Sequence, residues 1–109
     1  MASTLKKLAQ VQLGSSDGVI YTTPAGTTTV ITALVLCNTD TSDRTFRLHQ
    51  VDAAGSSSAA NALWYDYPVA TKRTFMPPTG LILQAGQLLR GLCSAATVMT
   101  VSVFGIERV

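Results

Sequence analysis

Residues 21–40 read YTTPAGTTTVITALVLCNTD and join a turn to an apolar run. Residues 24–26, PAG, form the turn, because proline fixes its own φ and glycine readily adopts a positive φ. Both faces of residues 28–38 become apolar toward Asn38, so we expect this strand to be covered on both sides. Strict alternation predicts one face made of Thr28, Val30, Thr32, Leu34 and Leu36, and another made of Thr29, Ile31, Ala33, Val35 and Cys37.

The second face of this strand has more than one possible cover. A two-layer sandwich has a single interior, which covers one face of each strand. A neighbouring subunit would cover the other face, and a loop or N-terminal arm of the same chain would do the same.

Short β-branched or aromatic runs recur along the whole chain, separated by Gly, Pro, Asn, Asp and Ser. This pattern predicts eight or nine strands in an all-β, antiparallel sandwich or jelly roll. We expect one domain at 8–109, a flexible N-terminal arm at 1–7 and a mobile loop at 52–62. The predicted strand segments are 8–13, 19–23, 28–38, 45–51, 63–67, 72–76, 80–92 with a turn inside it, and 97–108.

Charged residues make up only 13% of the 109 residues, against roughly 25% in a typical soluble domain. An uncharged surface is easily covered by neighbours, which favours a subunit of an assembly over a monomer with a threonine-rich surface. The net charge of +2 is too small to drive nucleic-acid binding. No apolar run is long enough for a membrane span, and no secretory signal opens the chain, so we expect a soluble protein made in the cytoplasm.

Residues with catalytic or metal-binding chemistry are few and scattered. His49 is the single histidine, and the six acids show no paired spacing, so we expect no catalytic residue, metal or cofactor. Calcium binding near Asp40 and Asp43 is a weaker alternative, because the loop lacks the ligand number of an EF-hand. Cys37 and Cys93 each lie in an apolar run and are predicted to be buried free thiols, although a disulfide stays possible.

The segment LWYDY at 63–67 concentrates aromatic side chains. Alternation predicts Tyr65 and Tyr67 on one face and Trp64 on the other. Such side chains either pack in the core or supply contact area for a sugar or a protein partner.

Three segments, taken together, resemble small virion proteins of tailed bacteriophages. They are YTTPAGTTTVITALVLCNTDTSDRTFRLHQV at 21–51, GLILQAGQLL at 80–89 and VSVFGIE at 101–107. The shared features are a Y-T-x-P-A-G turn, an apolar strand that ends in Cys-Asn, and an x-F-R-L strand. The resemblance implies a non-enzymatic β-sandwich present in many copies on the particle.

The resemblance further implies a capsid decoration, or cement, protein on the phage head that covers junctions between capsomers. Such a protein would contact the major capsid protein and form a symmetric homo-oligomer, with a trimer expected. The alternative is a tail, neck or fibre-associated module that binds a receptor through surface aromatics. The interface candidates are Lys6 and Lys7 on the arm, Leu34 and Leu36 on the apolar strand, and Trp64, Tyr65 and Tyr67.

Overall fold

The computed structural model describes residues 3–109, which form nine strands and one short 3-10 turn at Ala59–Asn61. The strands are β1 (Ser3–Gln12), β2 (Gly18–Thr22), β3 (Thr28–Asn38), β4 (Arg44–Val51), β5 (Ala62–Val69), β6 (Thr74–Phe75), β7 (Leu81–Leu83), β8 (Leu88–Cys93) and β9 (Met99–Arg108).

The strands make two antiparallel sheets that pack face to face. The five-stranded sheet has the order β1-β9-β3-β6, with β7 also paired to β3, and the four-stranded sheet has the order β2-β8-β4-β5. Between them lies one core that includes Leu34, Leu36, Phe46, Leu48 and Val101, each at most 1% exposed. The predicted all-β sandwich is therefore confirmed.

The predicted face assignment of β3 is wrong, because a β-bulge interrupts the alternation. The register to β9 shifts between Ile31 and Ala33, so Ile31 and Leu34 both face the core although they are three residues apart. Before the bulge Thr29 shares that inner face, and after it Leu36 does. The outer face of β3 consists instead of half-buried Val30, Ala33, Val35 and Cys37 and exposed Thr28 and Thr32.

A glycine on β9 lies against the strand just before this bulge. A Cβ on Gly105 would collide with the carbonyl oxygen of Val30 and the Cα of Ile31. The close approach of the two backbones therefore requires glycine here.

The N-terminal arm predicted at 1–7 is replaced, over the described residues, by the first half of a strand. β1 begins at Ser3 and pairs with β9 from the Ser3–Arg108 pair onward. Residues 1 and 2 lie outside the described part of the chain. Pairing begins this early because β9 extends to Arg108 and offers backbone partners along its whole length.

The predicted alternation in β5 also fails, again at a bulge. Asp66 has a φ of 53°, and the register to β4 shifts so that Phe46 pairs with Tyr67 while Leu48 pairs with Trp64. Trp64 and Tyr67 therefore share the inner side, and Tyr65 alone stands on the outer face. Aspartate tolerates the left-handed conformation better than most residues, which allows this turn of the chain.

Candidate binding surfaces

A row of four aliphatic side chains crosses the outer face of the five-stranded sheet. The register pairs Leu5 with Ile106, Ile106 with Val30, and Val30 with Ile82. Residues that are directly opposed on neighbouring strands lie on one face, so these four form a continuous apolar row. Its two ends are Leu5, 73% exposed, and Ile82, 57% exposed.

Charges flank the apolar row on both sides, and they have one sign. The neighbouring cross-strand pairs place exposed Arg108 beside Thr28 on one side and Lys7 beside Phe104 on the other. Among the described strand residues that face outward on this sheet, these two are the charged ones. The surface around the row is therefore cationic.

A partly buried polar network joins β1 to β9 and to β2 behind the apolar row. Lys6 Nζ lies 2.6 Å from Glu107 Oε1, and the Tyr21 hydroxyl donates to Glu107 Oε2 at 2.5 Å. The same hydroxyl bonds Thr29 Oγ1 at 2.8 Å. Lys6, and then Tyr21, hold the pKa of Glu107 below its ordinary value, whereas burial, together with Glu107, raises the pKa of Tyr21 to about 12.

This network corrects two of the interface candidates on the arm. Lys6 points to the inner side and is paired with Glu107, so it is engaged within the chain. Lys7 lies on the outer face, where its Nζ donates to Gln10 Oε1 at 3.3 Å and the side chain stays exposed. Of the two lysines, only Lys7 lies where a partner of this face would meet it.

The candidates on β3 lie inside the molecule. Leu34 is 1% exposed and Leu36 is fully buried, because the bulge at Ala33 turns both toward the other sheet. The prediction that Leu34 and Leu36 lie at an interface is therefore wrong. The aliphatic side chains on the outer face of β3 include Val30 and Val35 instead.

Most of the aromatic segment closes one edge of the sandwich. Trp64 and Tyr67 pack with Phe46 and Phe75, and the rings of Tyr67 and Phe75 stack at 4.5 Å between centroids. This cluster joins β5 at the edge of one sheet to β6 at the edge of the other. Trp64 and Tyr67 therefore act mainly in packing, although Tyr67 keeps 38% exposure.

Tyr65 has a different environment, on the outer face of the four-stranded sheet. It is 50% exposed, and the guanidinium carbon of Arg47 lies 4.0 Å from its ring centroid. Asp66 fixes this arrangement by accepting from Arg47 Nε at 2.7 Å and from Nη2 at 3.1 Å. The Arg47 guanidinium holds the pKa of Asp66 below its ordinary value.

A pocket of about 210 Å³ opens next to Tyr65 on this face. One wall is a loop between β4 and β5, and the opposite wall comes from the turn that precedes β2. The lining of the pocket includes Asp17, Arg47, His49, Ser57, Tyr65 and Leu92.

The loop predicted to be mobile at 52–62 is held against β4 by hydrogen bonds. Asn61 Nδ2 donates to the carbonyl of Ser56 at 2.9 Å, and Asn61 Oδ1 accepts from the N–H of Ser58 at 3.0 Å. The same Oδ1 lies 2.9 Å from His49 Nδ1. His49 faces outward as its strand pattern predicts, but this loop covers it, so it is only 3% exposed.

Sequence reasoning missed the pocket, because its walls come from segments far apart in the chain. Asp17 lies in a turn flanked by glycines, yet its carboxylate bonds Arg90 Nε at 2.7 Å and Ser57 Oγ at 3.0 Å. One indication of a pocket here was present in the sequence, namely the outward position of His49 and Arg47 on one strand. Nothing in the spacing of Asp17 and Ser57, 40 positions apart, links them to it.

Ser57, His49 and Asp17 line one pocket, but their bonds differ from those of a nucleophilic triad. Ser57 bonds the carboxylate directly, and no bond in the described chain joins Ser57 to His49. Residues 3–109 hold no cluster of three or more His, Cys, Asp or Glu suited to a metal ion. In the loop considered above as a weak alternative for calcium, Asp40 pairs with Arg44 and Asp43 accepts from the N–H of Thr71.

Both thiols are free. Cys93 is buried in the core as predicted, whereas Cys37 lies half-buried on the outer face of β3. Within the described residues, no helix is long and apolar enough to cross a membrane.

The fold and these surfaces define an all-β sandwich with two unlike outer faces. One face is apolar with a cationic border, and the other holds a small polar pocket beside an exposed tyrosine. An exposed apolar row is typical of an interaction surface, and a pocket with polar groups is typical of a small-molecule site, whether binding or catalytic.

Comparison with known proteins gives structural likenesses at low sequence identity. No family model matches the sequence, and no curated protein matches it. A chain in the structure of infectious bursal disease virus, Gt strain, covers 97% of this chain at 13% identity, with a TM-score of 0.48. A chain from the Gx strain covers 94% at 9% identity, with a TM-score of 0.47. This chain spans 32% of the length of either neighbour. At these TM-scores, the function of the neighbours is not transferred to this chain.

Proposed function

We propose that the chain is a non-enzymatic structural protein of a virus particle, which docks the outer face of its five-stranded sheet onto a neighbouring virion protein. The apolar row carries this proposal. Leu5 and Ile82 contribute little to folding while they stay exposed, and covering the row gains about 25 cal/mol per Å² of apolar surface. Exposed apolar side chains that lie in one row on a soluble domain are typical of an interaction site.

The flanking charges favour one kind of occupant. Lys7 and Arg108 border the row, so the complementary surface is an apolar strip with acidic residues at its sides. A second copy docked face to face would bring cations against cations. The proposed occupant is therefore a different virion protein, and contacts between copies of this chain use other surfaces.

The free edge of β1 is a poor site for adding another strand. It carries two adjacent lysines, and the register to β9 shifts between Lys7 and Ala9. Lysines and bulges on edge strands prevent edge-to-edge pairing. This supports docking through the face of the sheet.

The sequence resemblance to tailed-phage virion proteins supports a more specific assignment. In this assignment, the chain is a capsid decoration protein on the phage head, and it forms a homotrimer that contacts the major capsid protein. The alternative is a tail, neck or fibre-associated protein, which the exposed Tyr65 favours. The number of copies per particle distinguishes the head assignment from the tail assignment. Protein quantification of purified virions is expected to give far more copies of a head protein than of a tail protein, because a tail has only threefold or sixfold symmetry.

The docking face is tested by sedimenting the purified chain with particles of its virus. Ile82→Lys places a charge in the apolar row and is expected to reduce the bound fraction at least tenfold. Val19→Lys is the matched control, because Val19 is 49% exposed but belongs to the four-stranded sheet. Both variants are expected to unfold at the temperature of the wild type.

Two results would overturn the proposal. In one, Ile82→Lys binds particles as well as Val19→Lys does. In the other, the isolated chain dimerises in sedimentation velocity and Ile82→Lys abolishes the dimer, which assigns the face to a second copy.

A further inference from the structure

The pocket beside Tyr65 is lined by His49, one of whose ring nitrogens has no hydrogen bond within the described residues. Asn61 has a fixed orientation, because its amide nitrogen donates to Ser56 and its oxygen accepts from the Ser58 N–H. His49 Nδ1 must therefore donate its proton to Asn61 Oδ1. In the neutral ring this leaves Nε2 as an acceptor, and no described residue bonds it, although His49 is 3% exposed.

The charges around the pocket are compensated in pairs. Arg47 is bound by Asp66 in a bidentate pair, and Asp17 is bound by Arg90. The four formal charges sum to zero, and Asp17 itself lines the cavity. This balance disfavours an anionic ligand and suits a neutral one.

The lining of the pocket combines hydrogen-bond donors, hydrogen-bond acceptors and apolar surface. Asp17 Oδ1 accepts only from Ser57 in the described chain and has lone pairs left, and Arg47 Nη1 is unused by Asp66. Leu92 and the half-exposed ring of Tyr65 supply apolar contact. A ligand that fits must carry hydroxyl groups and C–H surface together.

We infer that this pocket binds one ring of a neutral saccharide. The sugar hydroxyls donate to His49 Nε2 and Asp17 Oδ1 and accept from Arg47 Nη1, while the C–H groups of the ring contact Tyr65 and Leu92. The cavity of about 210 Å³ is below the roughly 300–1,000 Å³ of pockets for drug-sized ligands, so it admits a single ring. This inference does not rest on the proposed function, because the apolar row lies on the other sheet.

The test is an amide-resolved NMR titration of the full chain with separate neutral monosaccharides: glucose, galactose, mannose and N-acetylglucosamine. At least one is expected to shift the signals of His49, Ser57 and Tyr65 in a saturable manner and to leave those of Ile82 and Ile106 unchanged. Tyr65→Ala, at an exposed position, is expected to weaken the binding at least tenfold. Ile82→Lys is the control and is expected to bind as the wild type does.

A second variant separates lost hydrogen bonding from lost packing. Ser57→Ala removes a hydroxyl that helps to position Asp17, and a weakening of at least threefold with an unchanged unfolding temperature is expected. Inorganic phosphate is titrated in parallel. The inference is overturned if no monosaccharide shifts these signals, if phosphate shifts them and the sugars do not, or if Tyr65→Ala binds as tightly as the wild type.

Discussion

The two outer faces of the sandwich use different chemistry, although both are built on antiparallel strands. On the five-stranded sheet, the two ends of the apolar row are exposed, and no described strand residue on the same face is an acid that could pair with the cations beside the row. On the four-stranded sheet, each arginine is paired with an aspartate, and a loop folds over the strands to form a pocket. The first face suits a broad protein contact, whereas the second suits a small polar ligand.

A β-bulge in each sheet helps to decide which side chains face outward. The bulge in β3 turns Leu34 and Leu36 inward and leaves smaller aliphatic side chains outside. The bulge at Asp66 turns Tyr67 inward and leaves Tyr65 outside beside Arg47. A single extra residue in a strand thus decides which side chains reach the surface.

The largest expected effect comes from the core that both faces share. Phe46 is fully buried and contacts the aromatic cluster at the edge of the sandwich. Phe46→Ala is expected to lower the free energy of unfolding by about 3–5 kcal/mol, because it leaves a cavity. Urea unfolding measures this loss, and Phe46→Leu, which fills part of the space, is expected to lose less. An alanine variant as stable as the wild type would contradict the shared core.

An intermediate effect is expected at Glu107, which pairs with Lys6 on β1 and accepts from Tyr21 on β2 of the other sheet. Glu107→Gln weakens the bonds to Lys6 and Tyr21, and a loss of about 1 kcal/mol in the free energy of unfolding is expected, since Lys6 is half-exposed. The same variant is expected to reduce particle binding, because β1 carries Leu5 at the end of the apolar row. Saccharide binding on the opposite sheet should stay unchanged.

The same residue makes the stability of the wild type depend on pH. Because the pKa of Glu107 is lowered in the folded chain, the unfolded chain takes up this proton first as the pH falls. The stabilisation is therefore present above the ordinary value of 4.5 and is lost as the pH falls through the folded pKa. Urea unfolding at pH 7 and pH 3 is expected to show a larger loss for the wild type than for Glu107→Gln, and equal losses would contradict the role of this carboxylate.

The smallest expected effect is at Asp66 on the four-stranded face. Asp66→Gly removes the carboxylate that pairs with Arg47 but keeps a residue suited to a φ of 53°. Asp66→Ala removes the carboxylate and also places an unsuited residue at this φ. The alanine variant is expected to unfold at a lower temperature than the glycine variant, and both should weaken saccharide binding. If the alanine variant is the more stable of the two, backbone conformation does not explain the bulge.

The fold could be read from the sequence because turn residues and apolar runs alternate at regular intervals. The bounds predicted for β3, 28–38, are those of the structure, and the turn at Pro24 lies where its chemistry requires it. The side-chain directions in β3 and β5 could not be predicted, because a bulge depends on the partner strand and leaves no clear mark in either segment. Ile31 and Leu34 look like opposite faces until β9 is placed beside them.

The candidate surfaces were predictable only in part. Tyr65 was named among the interface candidates and lies exposed, but Leu34 and Leu36 are buried, and Lys6 is engaged by Glu107. The apolar row escaped prediction because its members come from four strands and are joined only by register. The pocket escaped for the same reason, since its loop, turn and strand meet only after folding.

A cryo-EM reconstruction of the purified virus particle tests most directly whether the two faces have separate roles. The expected map shows this chain in many copies, with Leu5, Ile106, Val30 and Ile82 buried against an acidic surface of a neighbouring protein and the pocket beside Tyr65 open to solvent. A map in which the apolar row faces solvent, or in which the chain is absent from the particle, would contradict the account.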